Sequence, residues 1–206
     1  MRTTEAGKLL DGTSRLQAAN QSRHQDGGDD GAANPRSPIE LSELIDYNRA
    51  VLDQALTVIA AHEASPQADF AQHSGPHLRH VVEHYEALLE HLHERRIDYD
   101  DRRRDPQVQR SPRFARMRLQ QLSALLASLR IEWLRDPLTI RLRGGLDGET
   151  VFASQSTIAR ELLFVASHAV HHYAMIQLYC AQDGIDLGRD FGKAPSTRHH
   201  ERPPSH

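Results

Sequence analysis

The chain of 206 residues is poor in several residue types that define whole classes of protein. Its one cysteine, Cys180, excludes an internal disulfide and a zinc site built from several thiolates. Aromatic residues make up only 5%, and no run of about 18 apolar residues occurs, so we expect no transmembrane helix and no membrane partner. The reduced cysteine and the absence of an apolar leader favour a cytoplasmic protein.

The chain also lacks an excess of positive charge. Lysine and arginine total 25 against 28 acidic residues, which argues against a nucleic acid as partner. Arginine is nevertheless concentrated between Arg95 and Arg135, where eleven arginines accompany five acidic residues. We interpret this stretch as a solvated loop and helix surface. The alternative is a positive surface that steers an anionic thiol or substrate.

Apolar residues recur at helical spacing in four segments, with one region of alternating strand-like pattern before the last segment. The sequence therefore predicts an all-α fold, a four-helix bundle with a small β-hairpin before the last helix. We expect residues 1–37 to be a disordered segment, 38–197 to be the bundle and 198–206 to be a disordered tail. The predicted helices cover residues 37–62, 75–94, 112–130 and 156–182, and the predicted strands lie around 138–142 and 151–152.

Histidine is abundant, with 14 residues. Five of them lie on one side of the second predicted helix, because their spacings are 4, 3, 4 and 7 residues. These are His73, His77, His80, His84 and His91. On the last helix, His168 and His172 are four residues apart within an inward apolar stripe. Buried imidazoles need a partner, which is a metal ion, a buried water or a carboxylate on a facing helix.

A metal site is the hypothesis that we develop. His168 and His172 can hold one ion together, with His80 as the third ligand and His77 and His84 as second choices or proton carriers. Three neutral nitrogens leave a coordination position open, as in catalytic zinc sites. The last helix lacks the glutamate of a HExxH protease motif. Only one Glu-x-x-His pair occurs, Glu90 with His93, so a carboxylate-bridged di-iron site is excluded.

The strings SGPHLRHVVEHYEALL and SHAVHHYAMIQ resemble the two metal motifs of the DinB-like superfamily, and the resemblance extends over about residues 38–197. It implies a four-helix bundle with a three-histidine site for a divalent metal, on His80, His168 and His172. It also implies chemistry of the kind found in that superfamily, which includes thiol-dependent transferases and isomerases. Members often continue the last motif as His-Arg-Gly-Gln. Here His172 is followed by Tyr173, Ala174 and Met175, which leaves the substrate open.

The functional hypothesis is a divalent-metal-binding protein that activates water or a low-molecular-weight thiol for transfer to, or hydrolysis of, a small molecule. The expected cofactors are one divalent ion (zinc, nickel or iron) and, as an option, the thiol. The expected partners are a small-molecule substrate and a second copy in a homodimer. The alternatives are a non-catalytic, stress-associated metal-binding protein and a bundle whose histidines are only structural.

Five further residues are candidates for supporting roles. Glu161 and Glu83 lie one or two helical turns from the predicted ligands and are candidates to orient them by accepting a ring N–H. Asn48 interrupts the apolar stripe of the first helix, so it either faces a cavity or makes a hydrogen bond between helices. Tyr85 and Tyr173 are expected in the core or at its rim.

Overall fold

A computed structural model describes residues 41–202, which are mostly helical with one small three-stranded sheet. In chain order the elements are α1 (Leu41–Glu63), α2 (Ser74–Glu90), β1 (Arg96–Asp98), α3 (Pro106–Arg110), α4 (Pro112–Ala127), β2 (Pro137–Gly144), β3 (Thr150–Thr157), α5 (Ile158–Gln182) and α6 (Pro195–His200). Short 3-10 turns occupy Leu92–Glu94 and Ile131–Arg135.

The four long helices pack through the apolar stripes that the sequence shows. Helix α1 contacts α4 and α5, and α2 contacts the same two helices. Large side chains fill the space between them without solvent exposure, and burying each one stabilises the fold by about 1.5–3 kcal/mol. They include Leu52, Ile59, Leu78, Leu88, Leu119 and Leu126.

Helix starts follow from capping side chains. The Ser111 hydroxyl accepts a hydrogen bond from the Phe114 N–H at 3.2 Å and precedes Pro112, which has no N–H to lose. Helix α5 is capped by Thr157, whose hydroxyl accepts from the Arg160 N–H at 3.2 Å. The sequence favoured Ser156 as this cap, but its hydroxyl instead donates to the carboxylate of Glu161 at 2.5 Å.

The sheet has three strands in the order β1-β2-β3. Strands β2 and β3 are antiparallel, with Pro137 opposite Thr157 and Gly144 opposite Thr150. Strand β1 adds to the other edge of β2 in parallel, with Ile97 opposite Ile140. The prediction of a two-stranded hairpin is therefore wrong. A strand of three residues is too short to show an alternating pattern in the sequence.

Several boundaries differ from the predicted ones. Helix α2 ends at Glu90 and α4 at Ala127, each followed by a 3-10 turn rather than by further α-helix. Residues 198–200, assigned to a disordered tail, form the end of α6. The predicted disordered segment 1–37 and residues 203–206 lie outside the described residues. Within residues 41–202, no helix is both long enough and apolar enough to span a bilayer.

Helix α3 lies directly against the start of α2. A β-carbon at Gly75 would overlap the carbonyl oxygen of Gln109, so only glycine permits this approach. The Gln109 side-chain amide donates to the Ala71 carbonyl at 3.3 Å across the same contact. The end of the β1–α3 segment that leads into α3 is thus anchored to α2. Near its start, the carboxylate of Asp100 accepts a hydrogen bond from the Arg143 N–H of β2.

Candidate metal centre

The facing sides of α2 and α5 bring the three predicted ligands together. The ring centre of His80 lies 5.0 Å from that of His168 and 4.6 Å from that of His172. The rings of His168 and His172 are 4.7 Å apart, as expected for residues one helical turn apart. Side chains from two helices that are distant in sequence therefore share one small space.

His84 belongs to the same cluster and was only a second choice from the sequence. His80, His84 and His168 each offer one ring nitrogen, and these three nitrogens lie within 4.8 Å of one another. Tetrahedral zinc holds its nitrogen ligands about 3.4 Å apart, so small side-chain movements would bring them to one ion. His172 lies at the edge of the cluster, where its Nδ1 is 2.9 Å from Nδ1 of His77.

Two other histidines of the predicted stripe have partners away from this cluster. His73 pairs with Asp183, with 2.7 Å between Nδ1 and the carboxylate oxygen, and its ring stacks on Tyr179. His91 is exposed and pairs with Glu94 at 3.0 Å. The cluster that the fold builds therefore consists of His77, His80 and His84 from α2 with His168 and His172 from α5.

The clustered rings are neutral at pH 7. Burial lowers the pKa of His80, His84 and His172 to about 3, and neighbouring histidines add to the effect at His80 and His172. Burial also lowers the pKa of His77 and His168. A neutral imidazole keeps one nitrogen lone pair, which is the form that binds a metal ion.

One nitrogen of the cluster has no hydrogen-bond partner. Nε2 of His168 is inaccessible to solvent, and no polar atom of the described residues bonds to it. Leaving such a group unsatisfied costs about 1–3 kcal/mol. A buried imidazole nitrogen needs a partner, and the described residues of the protein do not supply one.

Aromatic side chains form two walls of the cluster. The Tyr99 ring stacks on His84 with 5.7 Å between ring centres, and the Phe164 ring stacks on His168 at 5.8 Å. Tyr99 and Phe164 also contact each other at 5.3 Å. These rings shield the imidazoles from water on that side, which strengthens any electrostatic interaction made there.

The hydrogen bonds of His84 fix its tautomer. Its Nδ1 lies 2.7 Å from the carbonyl oxygen of His80, one turn earlier, and a carbonyl only accepts, so Nδ1 carries the proton. Nη1 of Arg102 lies 2.8 Å from both ring nitrogens. This equal distance places Nη1 over the face of the His84 ring rather than along the lone pair of Nε2.

Arg102 is a residue that sequence reasoning did not single out. It lies in the segment between β1 and α3, inside the arginine-rich stretch. Its only sequence signature was that charge run, which we interpreted as a solvated surface. The position of Arg102 depends on the path that the chain takes after β1, and no local sequence pattern encodes this path.

The candidates for supporting roles hold the fold together rather than the metal ligands. Buried Glu161 accepts hydrogen bonds from Tyr99 at 2.8 Å and from Ser156, and Arg160 donates to it at 2.8 Å. The Asn48 side chain donates to the Leu44 carbonyl and accepts from the Tyr85 hydroxyl, both at 2.9 Å. Asn48 therefore makes the helix-packing bond rather than facing a cavity.

The other two candidates lie elsewhere in the interior. The Tyr173 hydroxyl donates to the Val51 carbonyl at 3.0 Å, joining α5 to α1. Glu83 is buried, and its nearest cation is Arg79, 3.5 Å away. Burial raises the pKa of Glu83, and the neighbouring arginines oppose that rise.

A separate apolar cleft of about 370 Å³ lies away from the histidines of the cluster. Trp133 forms part of its wall, and the Arg130 guanidinium lies 5.4 Å from the centre of the indole ring. The apolar side chains that line it are Leu89, Leu92, Leu125, Leu129, Trp133 and Ile158.

Comparison with known proteins gives one distant relative. No family model matches the chain. No solved structure matches it. FK506-binding protein 5 of Rhizopus delemar is 29% identical over 104 residues, which are 50% of this chain and 27% of that protein. The chain thus spans about a quarter of the length of this relative.

The resemblance to the DinB-like superfamily is therefore wrong. No model of such a family matches, and the curated relative carries a different name. The two motifs misled because they are short, and histidines at spacings of three and four occur on one side of any histidine-rich helix. The predicted transferase and hydrolase activities depended on that resemblance, so they are no longer supported. The histidine cluster is a separate observation, made from the geometry.

Proposed function

We propose that the histidine cluster binds one divalent transition-metal ion, with His80, His168 and His172 as its ligands. The observation that carries the proposal is the buried Nε2 of His168, which has no partner among the described residues although three other imidazoles surround it. A metal ion would satisfy this nitrogen and would use the neutral state of the neighbouring rings.

His84 is not a ligand in this proposal. Its Nδ1 already donates to the His80 carbonyl, and the Arg102 guanidinium lies over its ring, where a positive charge opposes binding of a metal ion to this imidazole. His80, His168 and His172 remain, and the bond from His77 to His172 would orient the ring of that ligand. Imidazole ligands suit zinc, nickel and iron, and three of them leave a position open. Bound there, the ion would supply Lewis acidity to a small molecule.

We also infer that the four long helices form a four-helix bundle. Each of α1 and α2 packs on both α4 and α5, which is the neighbour pattern of four helices around one core. The apolar stripes of all four helices contribute to that core. The proposed metal site would then lie between two adjacent helices of the bundle.

The test is cobalt binding by protein purified without a tag and treated with chelator. We expect wild type to bind one Co²⁺ per chain and to develop visible absorption bands. His168→Ala is expected to weaken Co²⁺ binding at least tenfold, because it removes a ligand nitrogen. His171→Ala is the matched control, since His171 is exposed and outside the cluster, and it should bind as wild type does.

The result that would contradict the proposal is equal Co²⁺ binding by wild type and His168→Ala. Binding that His171→Ala loses and His168→Ala keeps would also overturn it, because the ion would then sit on the exposed surface. Elemental analysis of both variants after growth with zinc, nickel and iron would identify the ion that the cell supplies.

A second candidate function is binding of an apolar small molecule in the cleft beside Trp133. The likeness to a protein named for binding FK506 favours it, as does the cleft's volume, which is within the usual range for small-molecule sites. Trp133 is the sole tryptophan of the chain, so its fluorescence reports on this cleft alone. FK506 is expected to change the emission of wild type and not that of Leu129→Glu. Unchanged emission of wild type at saturating FK506 would exclude this candidate.

A further inference from the structure

Arg102 is a cation whose guanidinium contacts a neutral imidazole of the histidine cluster. Its side chain is half-buried, and Nη1 lies 2.8 Å from Nε2 of His84. Its Nε is inaccessible to solvent and bonds to no atom of the described residues. Arginine cannot be deprotonated in proteins, so its charge is held at the edge of the imidazoles whatever the pH.

No carboxylate of the described residues forms an ion pair with Arg102. Each of the ion pairs found within 4.0 Å in residues 41–202 involves another basic residue. Arg118, which is similarly half-buried, is by contrast paired with Glu86. A half-buried guanidinium that rests on a neutral ring instead of a carboxylate retains donors for an anion from outside.

The two carboxylates nearest in effect to Arg102, Glu83 and Asp100, are engaged elsewhere. Glu83 lies 3.5 Å from Arg79, and Asp100 accepts a hydrogen bond from the Arg143 N–H. Arg79 and Arg104 are further cations that act on Arg102. A metal ion on the histidines would add two further positive charges a few ångströms away and would increase the need for an anion.

The structure assigns to this site a small molecule that carries a carboxylate, and we propose that the carboxylate pairs with the guanidinium of Arg102 beside the metal-binding histidines. The inference rests on the proposed metal binding and names the class of ligand that the same site takes. The planar guanidinium matches the two oxygens of a carboxylate.

His84 acts as a positioning residue in this arrangement. Its proton is fixed on Nδ1 by the His80 carbonyl, and the ring so oriented packs against the guanidinium of Arg102 and limits its movement. The stacked Tyr99 ring limits rotation of His84. The ligand-binding cation is therefore connected to the backbone of a proposed metal ligand through one imidazole.

The experiment is an acetate titration of the Co²⁺-loaded protein, followed by calorimetry and by the visible absorption of cobalt. Wild type is compared with Arg102→Gln, and Arg103→Gln serves as the matched control because Arg103 is the exposed neighbour. We expect Arg102→Gln to raise the dissociation constant of acetate roughly tenfold or more. Arg103→Gln should leave it unchanged. Acetamide, which is neutral, should bind equally to all three proteins.

Arg102→Lys provides a second readout in case the glutamine variant folds poorly. Lysine keeps the charge but not the planar fork, so acetate affinity should fall between those of wild type and Arg102→Gln. Phosphate binding more tightly than acetate in wild type would overturn the assignment to a carboxylate. Equal acetate affinity in wild type and both Arg102 variants would overturn the role of Arg102.

Failure of this inference is distinguishable from failure of the proposed function. Absence of cobalt bands in every variant would contradict metal binding alone. The acetate titration of metal-free protein, followed by the histidine ring resonances in NMR spectra, would then still decide whether Arg102 holds the anion. Normal Co²⁺ binding with an acetate affinity that is insensitive to Arg102 would contradict only the present inference.

Discussion

Two groups of buried polar side chains differ in how completely they are satisfied. Glu161 has hydrogen-bond donors from Tyr99, Ser156 and Arg160, so its carboxylate is fully accounted for by the chain itself. The histidine cluster, which shares helix α5 with Glu161 and extends to α2, contains a buried nitrogen of His168 without a partner among the described residues. A complete network indicates a structural role, whereas an incomplete one indicates a place where something else binds.

The largest expected effect tests the satisfied network. Glu161→Ala removes the acceptor of the buried Tyr99 hydroxyl and of the half-buried Ser156 hydroxyl, and it should lower the free energy of unfolding by about 3 kcal/mol. Urea unfolding measures the change, and exposed Glu132→Ala should lose less than about 0.5 kcal/mol. A loss below about 1 kcal/mol for Glu161→Ala would show that its bonds are replaced by water.

The opposite result is expected for the incomplete network. Metal-free His168→Leu should be at least as stable as metal-free wild type, because it removes an unsatisfied buried nitrogen. Zinc at about a hundred times its dissociation constant should stabilise wild type by about 2.7 kcal/mol and His168→Leu not at all. Thermal unfolding with and without zinc measures both quantities. If zinc stabilises the two proteins equally, the contrast between the networks has no functional meaning.

Acid should weaken the contribution of the histidine cluster to stability. The pKa of His80, His84 and His172 is about 3 in the fold against 6.5 in the unfolded chain. Between these values the unfolded chain binds protons that the folded protein does not, so the contribution to stability is complete above pH 6.5 and is lost as the pH falls. Metal-free protein should lose about 1–2 kcal/mol between pH 7.5 and 5, after allowance for solvent screening.

Calorimetric melting curves at the two pH values would measure this loss. Replacing His84 with glutamine should reduce the pH dependence, because one of the groups whose pKa is lowered in the fold is removed. A flat profile in wild type would mean that the rings are protonated, or reach solvent, in the folded protein.

The smallest effect is expected at the bond between α2 and α1. Tyr85→Phe removes the hydroxyl that donates to Asn48 while keeping the ring, so it should cost about 1 kcal/mol. Half-exposed Tyr47→Phe is the control and should be neutral. A cost as large as that of Glu161→Ala would mean that this bond between neutral groups is as important to the fold as the buried carboxylate.

The helices were predictable because their information is local. Periodic apolar residues and the Ser111-Pro112 pair locate α4, and Asp183-Gly184 marks the end of α5. The same kind of pair, Asp105-Pro106, begins α3 and was overlooked. Strand β1 was not predictable, because three residues form a strand only where β2 offers them a partner.

The residues of the candidate site differ in the same way, because some follow from local sequence patterns and one depends on the path of the chain. The convergence of His80, His168 and His172 follows from two helical periodicities, which the sequence shows, and from the packing of α2 on α5, which only the structure shows. Metal binding itself stays a prediction. Arg102 could not be found in this way, since eleven arginines share its stretch of sequence and only the path of the chain after β1 selects one of them.

The close approach at Gly75 has a consequence for ligand selection. With α3 packed on α2 at one end and Asp100 bonded to β2 at the other, only five residues, 101–105, lie between Asp100 and the first residue of α3. A segment this short spans at most about 18 Å, which limits how far the guanidinium can move from the imidazoles. The proposed site would therefore discriminate between ligands by the number of bonds between their charged end and their metal-binding atom, and much less by their bulk.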